Sequence, residues 1–220
     1  MYLIEEELAN SLTHGIAGVL FFVLCPLLIS IAVKKNDIGS IIGVCFFSFG
    51  LLTVYFSSTI FHAIAFKPVK EILNYFDHLS IYFLISGTYT AYILIYFKDK
   101  FGFLLLSFVW LTSVIGINIS IFFTKLPSLY SLIIYLILGW VGIALIKPSI
   151  KKVYPIILAF IVTGGIFYTA GTYFFYYDDD FKYYHAIWHL FVVTGSLLHW
   201  VAILLAIKKQ RLPSLIIDEA

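Results

Sequence analysis

Two histidines four residues apart, His185 and His189, stand at the start of the last long apolar run of the chain. Residues at this spacing lie on one face of an α-helix, so both imidazole rings can point at the same atom. Such a spacing is typical of metal ligands. The alternative is that both rings are buried and hydrogen-bond to neighbouring helices. The pair by itself leaves both interpretations open.

The elements that must position this pair are membrane-spanning helices. Of the 220 residues, 62% are hydrophobic and 12% are charged, and the mean hydropathy is +1.01. A bilayer core of about 30 Å needs about 20 apolar residues per helix, and the sequence contains seven runs of about that length. The predicted spans are residues 12–33, 39–66, 78–97, 101–123, 129–146, 153–175 and 184–207.

We therefore predict an all-α integral membrane protein with a seven-helix transmembrane bundle. Backbone groups in lipid must be hydrogen-bonded internally, and these runs lack the alternation of barrel strands. The bundle is expected to form a single domain over residues 1–220, with a short N-terminal segment, 1–11, and a C-terminal tail, 208–220. The N-terminal segment lacks the basic stretch of a secretory signal, so we expect the first helix to be retained.

The basic residues are divided unequally between the two membrane faces. Seven spans put the N-terminus and the loops after the second, fourth and sixth helices on one face, here called face A. The other loops and the C-terminal tail lie on the opposite face, face B. Of the 14 basic residues, ten fall on face B and four on face A. The positive-inside rule therefore predicts a multi-pass protein of the cell membrane with face B and the C-terminus in the cytoplasm.

The six histidines are also divided unequally. Five of them belong to face A: His14, His62, His78, His185 and His189. The sixth, His199, lies about 21 Å along the last helix from His185 at 1.5 Å per residue. Because polar residues inside a membrane are costly, this clustering indicates a shared site.

The residues of face A supply the parts of a catalytic zinc site. Three neutral imidazoles, from His62, His185 and His189, together with a water form an open tetrahedral zinc centre. A carboxylate such as Asp77 can take the proton of that water, and a hydroxyl such as Ser58 can orient it or donate to a developing oxyanion.

Both accessory residues have a structural alternative. Ser58 can instead be a packing hydroxyl bonded to the backbone one turn back. Asp77 can be the N-terminal cap of the third helix, a role that is compatible with a role at the metal.

These residues stand in motifs that resemble those of the hemolysin III family. The motifs are Glu6–Gly15 before the first helix, Ser58-Thr59-Ile60-Phe61-His62 at the end of the second, Asp77-His78 opening the third, and His185-x-x-x-His189 opening the last. The family is grouped with the progestin and adipoQ receptors and, more distantly, with the alkaline ceramidases. The resemblance implies one zinc ion held by His62, His185 and His189, a water between the metal and Asp77, and Ser58 alongside. For the receptor branch it also implies an N-terminus and a metal on the cytoplasmic side, opposite to the orientation that the charge count predicts; we follow the charge count.

The resemblance alone leaves the activity open, because the relatives are described as receptors, as hydrolases of ceramide-like lipid amides and as cytolysins. An open zinc position beside a carboxylate and a hydroxyl favours hydrolysis of a lipid amide, with a membrane lipid as substrate and no nucleic-acid partner. The alternative is a cytolytic or channel-forming protein, or a receptor-like sensor, in which zinc is structural. A lytic protein is expected to show amphipathic segments or a polar stripe along several helices, whereas this chain is almost uniformly apolar.

Overall fold

The protein is a bundle of α-helices, and its computed structural model describes residues 4–122 and 128–209. The helices are α1 (Ile4–Lys34), α2 (Ile38–Ala63), α3 (Lys67–Tyr96), α4 (Lys100–Phe122), α5 (Ser128–Trp140), α6 (Ile143–Lys152), α7 (Pro155–Tyr176) and α8 (Tyr184–Lys209). Within these described ranges, seven segments are long and apolar enough to cross a membrane, with α5 and α6 together forming the fifth. The all-α, seven-span prediction is confirmed.

Two helices begin well before their apolar runs. α1 begins at Ile4 and not at residue 12, and α3 begins at Lys67 and not at residue 78. The added turns carry charged side chains that form ion pairs, among them Glu5 with Lys182 and Glu7 with Lys70, so a helix continues where hydropathy alone predicts a loop. Asp77 consequently lies well inside α3, and its alternative role as the N-terminal cap of that helix is wrong.

The fifth span is interrupted near its middle, where α5 ends at Trp140 and α6 begins at Ile143. The Tyr89 hydroxyl contacts the backbone oxygens of Leu138 and Gly139 at 2.9 and 2.8 Å, so these carbonyls accept a hydrogen bond at the break. Carbonyl groups within a membrane require such a partner. At the C-terminus, α8 continues to Lys209, and the rest of the predicted tail lies outside the described residues.

Close backbone contact fixes α2 against α3. A Cβ atom added at Gly43 would lie 2.8 Å from Ala91 Cα, and one added at Gly87 would lie 2.5 Å from the Phe46 carbonyl oxygen. Larger side chains would force the two helices apart, as is usual where small residues line a helix interface in a membrane. These contacts lie in the half of α2 nearer face B and set the distance between α2 and α3 there.

Buried hydroxyl groups fix α8 against α2 and α7. The Tyr55 hydroxyl donates to Ser196 Oγ at 2.7 Å, and the Tyr168 hydroxyl lies at the same distance from that oxygen. One turn nearer face B, His199 Nε2 donates to the carbonyl oxygen of Ile161 at 3.0 Å. His199 therefore joins α8 to α7 within the bundle, apart from the other histidines of α8.

Candidate metal centre

The structure brings His62, His185 and His189 together at the face A end of the bundle. His62 lies in the last turn of α2, and the other two lie in the first two turns of α8. One ring nitrogen from each residue lies within 4.8 Å of the other two, and all three side chains are buried. The ring centroids are 4.6 to 5.2 Å apart. This group can hold one metal ion.

Each of these rings is oriented by a hydrogen bond at Nδ1. His62 Nδ1 lies 2.7 Å from Glu7 Oε2, and His185 Nδ1 lies 2.6 Å from Asp178 Oδ2. His189 Nδ1 lies 3.1 Å from the carbonyl oxygen of Asn10. When Nδ1–H donates to these acceptors, Nε2 carries the lone pair that binds a metal. Carboxylate or carbonyl acceptors behind each ring are typical of metal-binding histidines.

Sequence reasoning missed the two carboxylates behind His62 and His185, which are candidate metal ligands. Glu7 is the last of three consecutive glutamates, and Asp178 is the first of three consecutive aspartates. A run of like charges predicts an anionic surface and does not indicate which member faces inward. Because α1 is already helical at Ile4, the three glutamates point in different directions around the helix, and only this helical start shows that Glu7 faces His62.

The first turn of α1 joins the loop before α8 to the site. Glu5 pairs with Lys182 at 2.8 Å, and Glu6 Oε1 accepts the backbone N–H of Tyr183 at 3.0 Å. The hydrogen bond and charge of Glu5 raise the pKa of Lys182. Glu7 also contacts Lys70 of α3 at 3.0 Å, in addition to His62. These three consecutive glutamates thus join α1 to α2, to α3 and to the loop between α7 and α8.

α1 also covers one ring of the histidine cluster. His14 stacks on His189, with centroids 3.5 Å apart and planes at 15°, and Thr13 Oγ1 lies 3.0 Å from His189 Nδ1. Both ring nitrogens of His14 and both amide atoms of Asn10 are buried with no hydrogen-bond partner among the described residues. Polar atoms of this kind call for a water or a polar ligand group. His78, by contrast, donates from Nδ1 to the Asn74 carbonyl oxygen at 2.9 Å.

Ser58 and Asp77 lie on the wall of one cavity together with His185 and His189. Ser58 is 1% exposed, and its Oγ has no hydrogen-bond partner in the part of the chain that the structure describes. Its neighbour Ser57 is the residue that bonds to the Val54 carbonyl. The alternative of Ser58 as a packing hydroxyl bonded one turn back is therefore wrong.

The cavity has a volume of about 460 Å³ and is lined mostly by apolar side chains. Its acidic residues and most of its histidines lie near the histidine cluster. The cavity extends between α3, α6 and α7 as far as Tyr92 and Ser149, and its polar groups there are mostly hydroxyls. This volume is in the range of small-molecule sites. An apolar chain with a polar head matches this distribution of lining groups.

A helical bundle with seven spans and a three-histidine cluster at the head of an apolar cavity defines a multi-pass membrane protein with a candidate metal centre. Its sequence matches the profile described as "Haemolysin-III related" over residues 2–200, and the chain belongs to this family. The family indicated by the motifs is therefore confirmed.

Curated relatives cover most of the chain. The chain is 39% identical to the Hemolysin-3 homolog of Bacillus subtilis (strain 168) over 196 residues, which are 89% of this chain and 92% of the relative. It is 33% identical to Hemolysin-3 of Bacillus cereus, with 91% of each chain covered. It is 27% identical to the human Monocyte to macrophage differentiation factor, over 90% of this chain and 83% of the relative. No solved structure matches the chain.

Removing either carboxylate behind a metal ligand should weaken metal binding. We expect Glu7→Gln and Asp178→Asn each to lower metal affinity by about 10- to 100-fold, because the imidazole loses its charged acceptor. Competition with a chelator measures the change. Glu5→Gln is the matched control, since Glu5 contacts Lys182 and should leave the affinity unaltered. Equal affinities in the Glu7 and Glu5 variants would contradict the assignment.

Proposed function

We propose that the protein is a zinc-dependent hydrolase that cleaves the amide bond of a membrane lipid. The observation that supports this proposal is the position of the three histidines at the head of an apolar cavity whose wall also carries Asp77 and Ser58. A polar reaction centre at the end of an apolar cavity suits a lipid whose scissile bond lies next to its hydrocarbon chain.

The donor set favours zinc in a catalytic site. Structural zinc sites use four protein ligands, usually with cysteine, whereas three imidazoles leave a fourth position open. His62, His185 and His189 would hold the ion, each through Nε2. When bound, zinc supplies Lewis acidity, which polarises a carbonyl group and makes a water more acidic.

The side chains on the cavity wall supply the proton transfers. We assign Asp77 as the general base that accepts the proton of the attacking water and then delivers it to the leaving amine as the C–N bond breaks. The Ser58 hydroxyl donates to the carbonyl oxygen as that atom becomes negative. The products are a carboxylate and an amine, and the apolar wall shields the reaction from bulk water.

The second candidate is membrane lysis, which the name of the Bacillus cereus relative, Hemolysin-3, favours. In a lytic protein, or in a receptor-like sensor, zinc would have a structural role: it would join α2 to α8 and would not take part in a reaction. A pore would need a polar path across the membrane. The cavity wall between the histidine cluster and Tyr92 is instead largely apolar, which supports hydrolysis over conduction.

Purified protein should carry about one zinc ion per chain. His62→Ala, His185→Ala and His189→Ala should each lose it, because two imidazoles do not retain the ion. His199→Ala is the matched control and should keep full occupancy, since His199 bonds to Ile161 of α7. Elemental analysis measures the content. Full occupancy in His185→Ala would refute the ligand set.

Asp77→Asn separates catalysis from metal binding. The amide keeps the size and hydrogen bonding of Asp77 but cannot accept the proton, so turnover of a lipid amide should fall by about 100-fold or more while zinc stays. Release of zinc in this variant would make Asp77 a ligand. Erythrocyte or liposome lysis that persists in Asp77→Asn and in metal-free protein would favour the cytolytic function.

We further propose that face B and the C-terminus are cytoplasmic in the cell membrane, so that the metal centre faces outward. The ten-to-four excess of basic residues on face B supports this orientation. A reporter fused after Ala220 should be active only as a cytoplasmic reporter. Activity only as an extracytoplasmic reporter would reverse the orientation and leave the metal centre unchanged.

A further inference from the structure

The cavity follows α3 away from the histidine cluster, so the length of α3 that lines it gives the length of the cavity. Asp77 lies on the wall near the histidine cluster, and Tyr92 is the last residue of α3 that lines it. At 1.5 Å per residue, these two positions are about 22 Å apart along the helix. Between them Ile81, Leu84 and Ile85 line the cavity. Thr88 and Tyr89 line it as well, and their hydroxyls bond to backbone carbonyl groups. A single extended hydrocarbon chain is the ligand shape that this space suits.

The floor of the cavity is a hydrogen-bonded pair. The Tyr92 hydroxyl and Ser149 Oγ lie 2.7 Å apart and join α3 to α6. Toward face B, Phe97 packs near Tyr92 with ring centroids 5.8 Å apart and is 1% exposed. Ile157 of α7 is fully buried, and neither Phe97 nor Ile157 lines the cavity. A chain that reaches Tyr92 therefore meets close-packed side chains.

We propose that the cavity selects its lipid by chain length and that the ring of Tyr92 is the stop that sets the longest chain accommodated. The headgroup lies at the histidine cluster, and the chain extends along α3 toward face B. The identity of the headgroup rests on the proposed function; the chain-length selection rests on the cavity itself. Affinity should rise about fourfold per added methylene, as expected for burial of apolar surface, until the chain reaches Tyr92.

Two substitutions should move the stop in opposite directions. Tyr92→Ala removes the ring from the floor and should shift the preferred chain to greater length. Gly165→Leu, halfway along α7, adds a side chain on the cavity wall, where a Cβ atom meets nothing within 4 Å. The leucine side chain should obstruct the part of the cavity nearer Tyr92 and shift the preferred chain to shorter length.

Each substitution has a matched control. Tyr92→Phe loses the bond to Ser149 but keeps the ring, so the preferred length should not change. Ile156→Leu alters an exposed residue of α7 that does not line the cavity, and it should not change the preference either.

The test measures binding of straight-chain alkyl hydroxamic acids that differ by one methylene, to the full-length protein, by native mass spectrometry. These probes combine a metal-chelating head with one hydrocarbon chain. We expect an affinity maximum that lengthens in Tyr92→Ala, shortens in Gly165→Leu and stays fixed in both controls. Affinity that rises without a maximum, or a maximum unmoved by Gly165→Leu, overturns the proposal. If Tyr92→Ala does not fold, Gly165→Leu and its control decide the question.

Measuring binding and turnover separately distinguishes chain-length selection from the proposed hydrolase activity. A maximum that moves as expected, without cleavage of any lipid amide, keeps chain-length selection and rejects the hydrolase. Cleavage that proceeds with no dependence of binding on chain length keeps the hydrolase and rejects the selection.

Discussion

The hydrogen bond at each Nδ1 atom is the constraint on which the metal centre depends. An imidazole in a membrane bundle can rotate and can carry its proton on either nitrogen. Glu7, Asp178 and the Asn10 carbonyl remove that freedom, because each holds Nδ1–H and turns Nε2 toward the common centre. The position of α1 follows from the same requirement, since the acceptors come from α1 and from the loop before α8 and not from the two helices that carry the rings.

Hydropathy predicts the number and type of the helices but not their ends. Every apolar run of the sequence corresponds to a span, because lipid forces the backbone of each run to bond within itself. The turns before residues 12 and 78 contain charged side chains and therefore have no apolar signal, although they are helical. The break in the fifth span has no signal either, because the Tyr89 hydroxyl that bonds its carbonyls comes from another helix.

For the site, the spacing of the motifs and the assignment of each helix end to face A or face B are sufficient to place the three histidines at one end of the bundle. Their convergence within 4.8 Å confirms that part of the prediction. The roles of Asp77 and Ser58 stay predictions, although the structure removes the structural alternative proposed for each. The apolar pattern does not single out the carboxylates behind the rings: Glu7 is 55 residues from His62, and Asp178, seven residues from His185, is one of three consecutive aspartates.

The contacts between α1 and the α8 end of the chain determine the order in which the protein can mature. α1 leaves the ribosome before α8, yet His189 bonds to Asn10, and Tyr183, next to α8, bonds to Glu6. A nascent chain that lacks α8 has only one of the three imidazoles, so a partly inserted chain has no complete ligand set. Binding of an ion by this three-histidine group would therefore be a late event in biogenesis, since it requires α8 to have packed against α1 and α2.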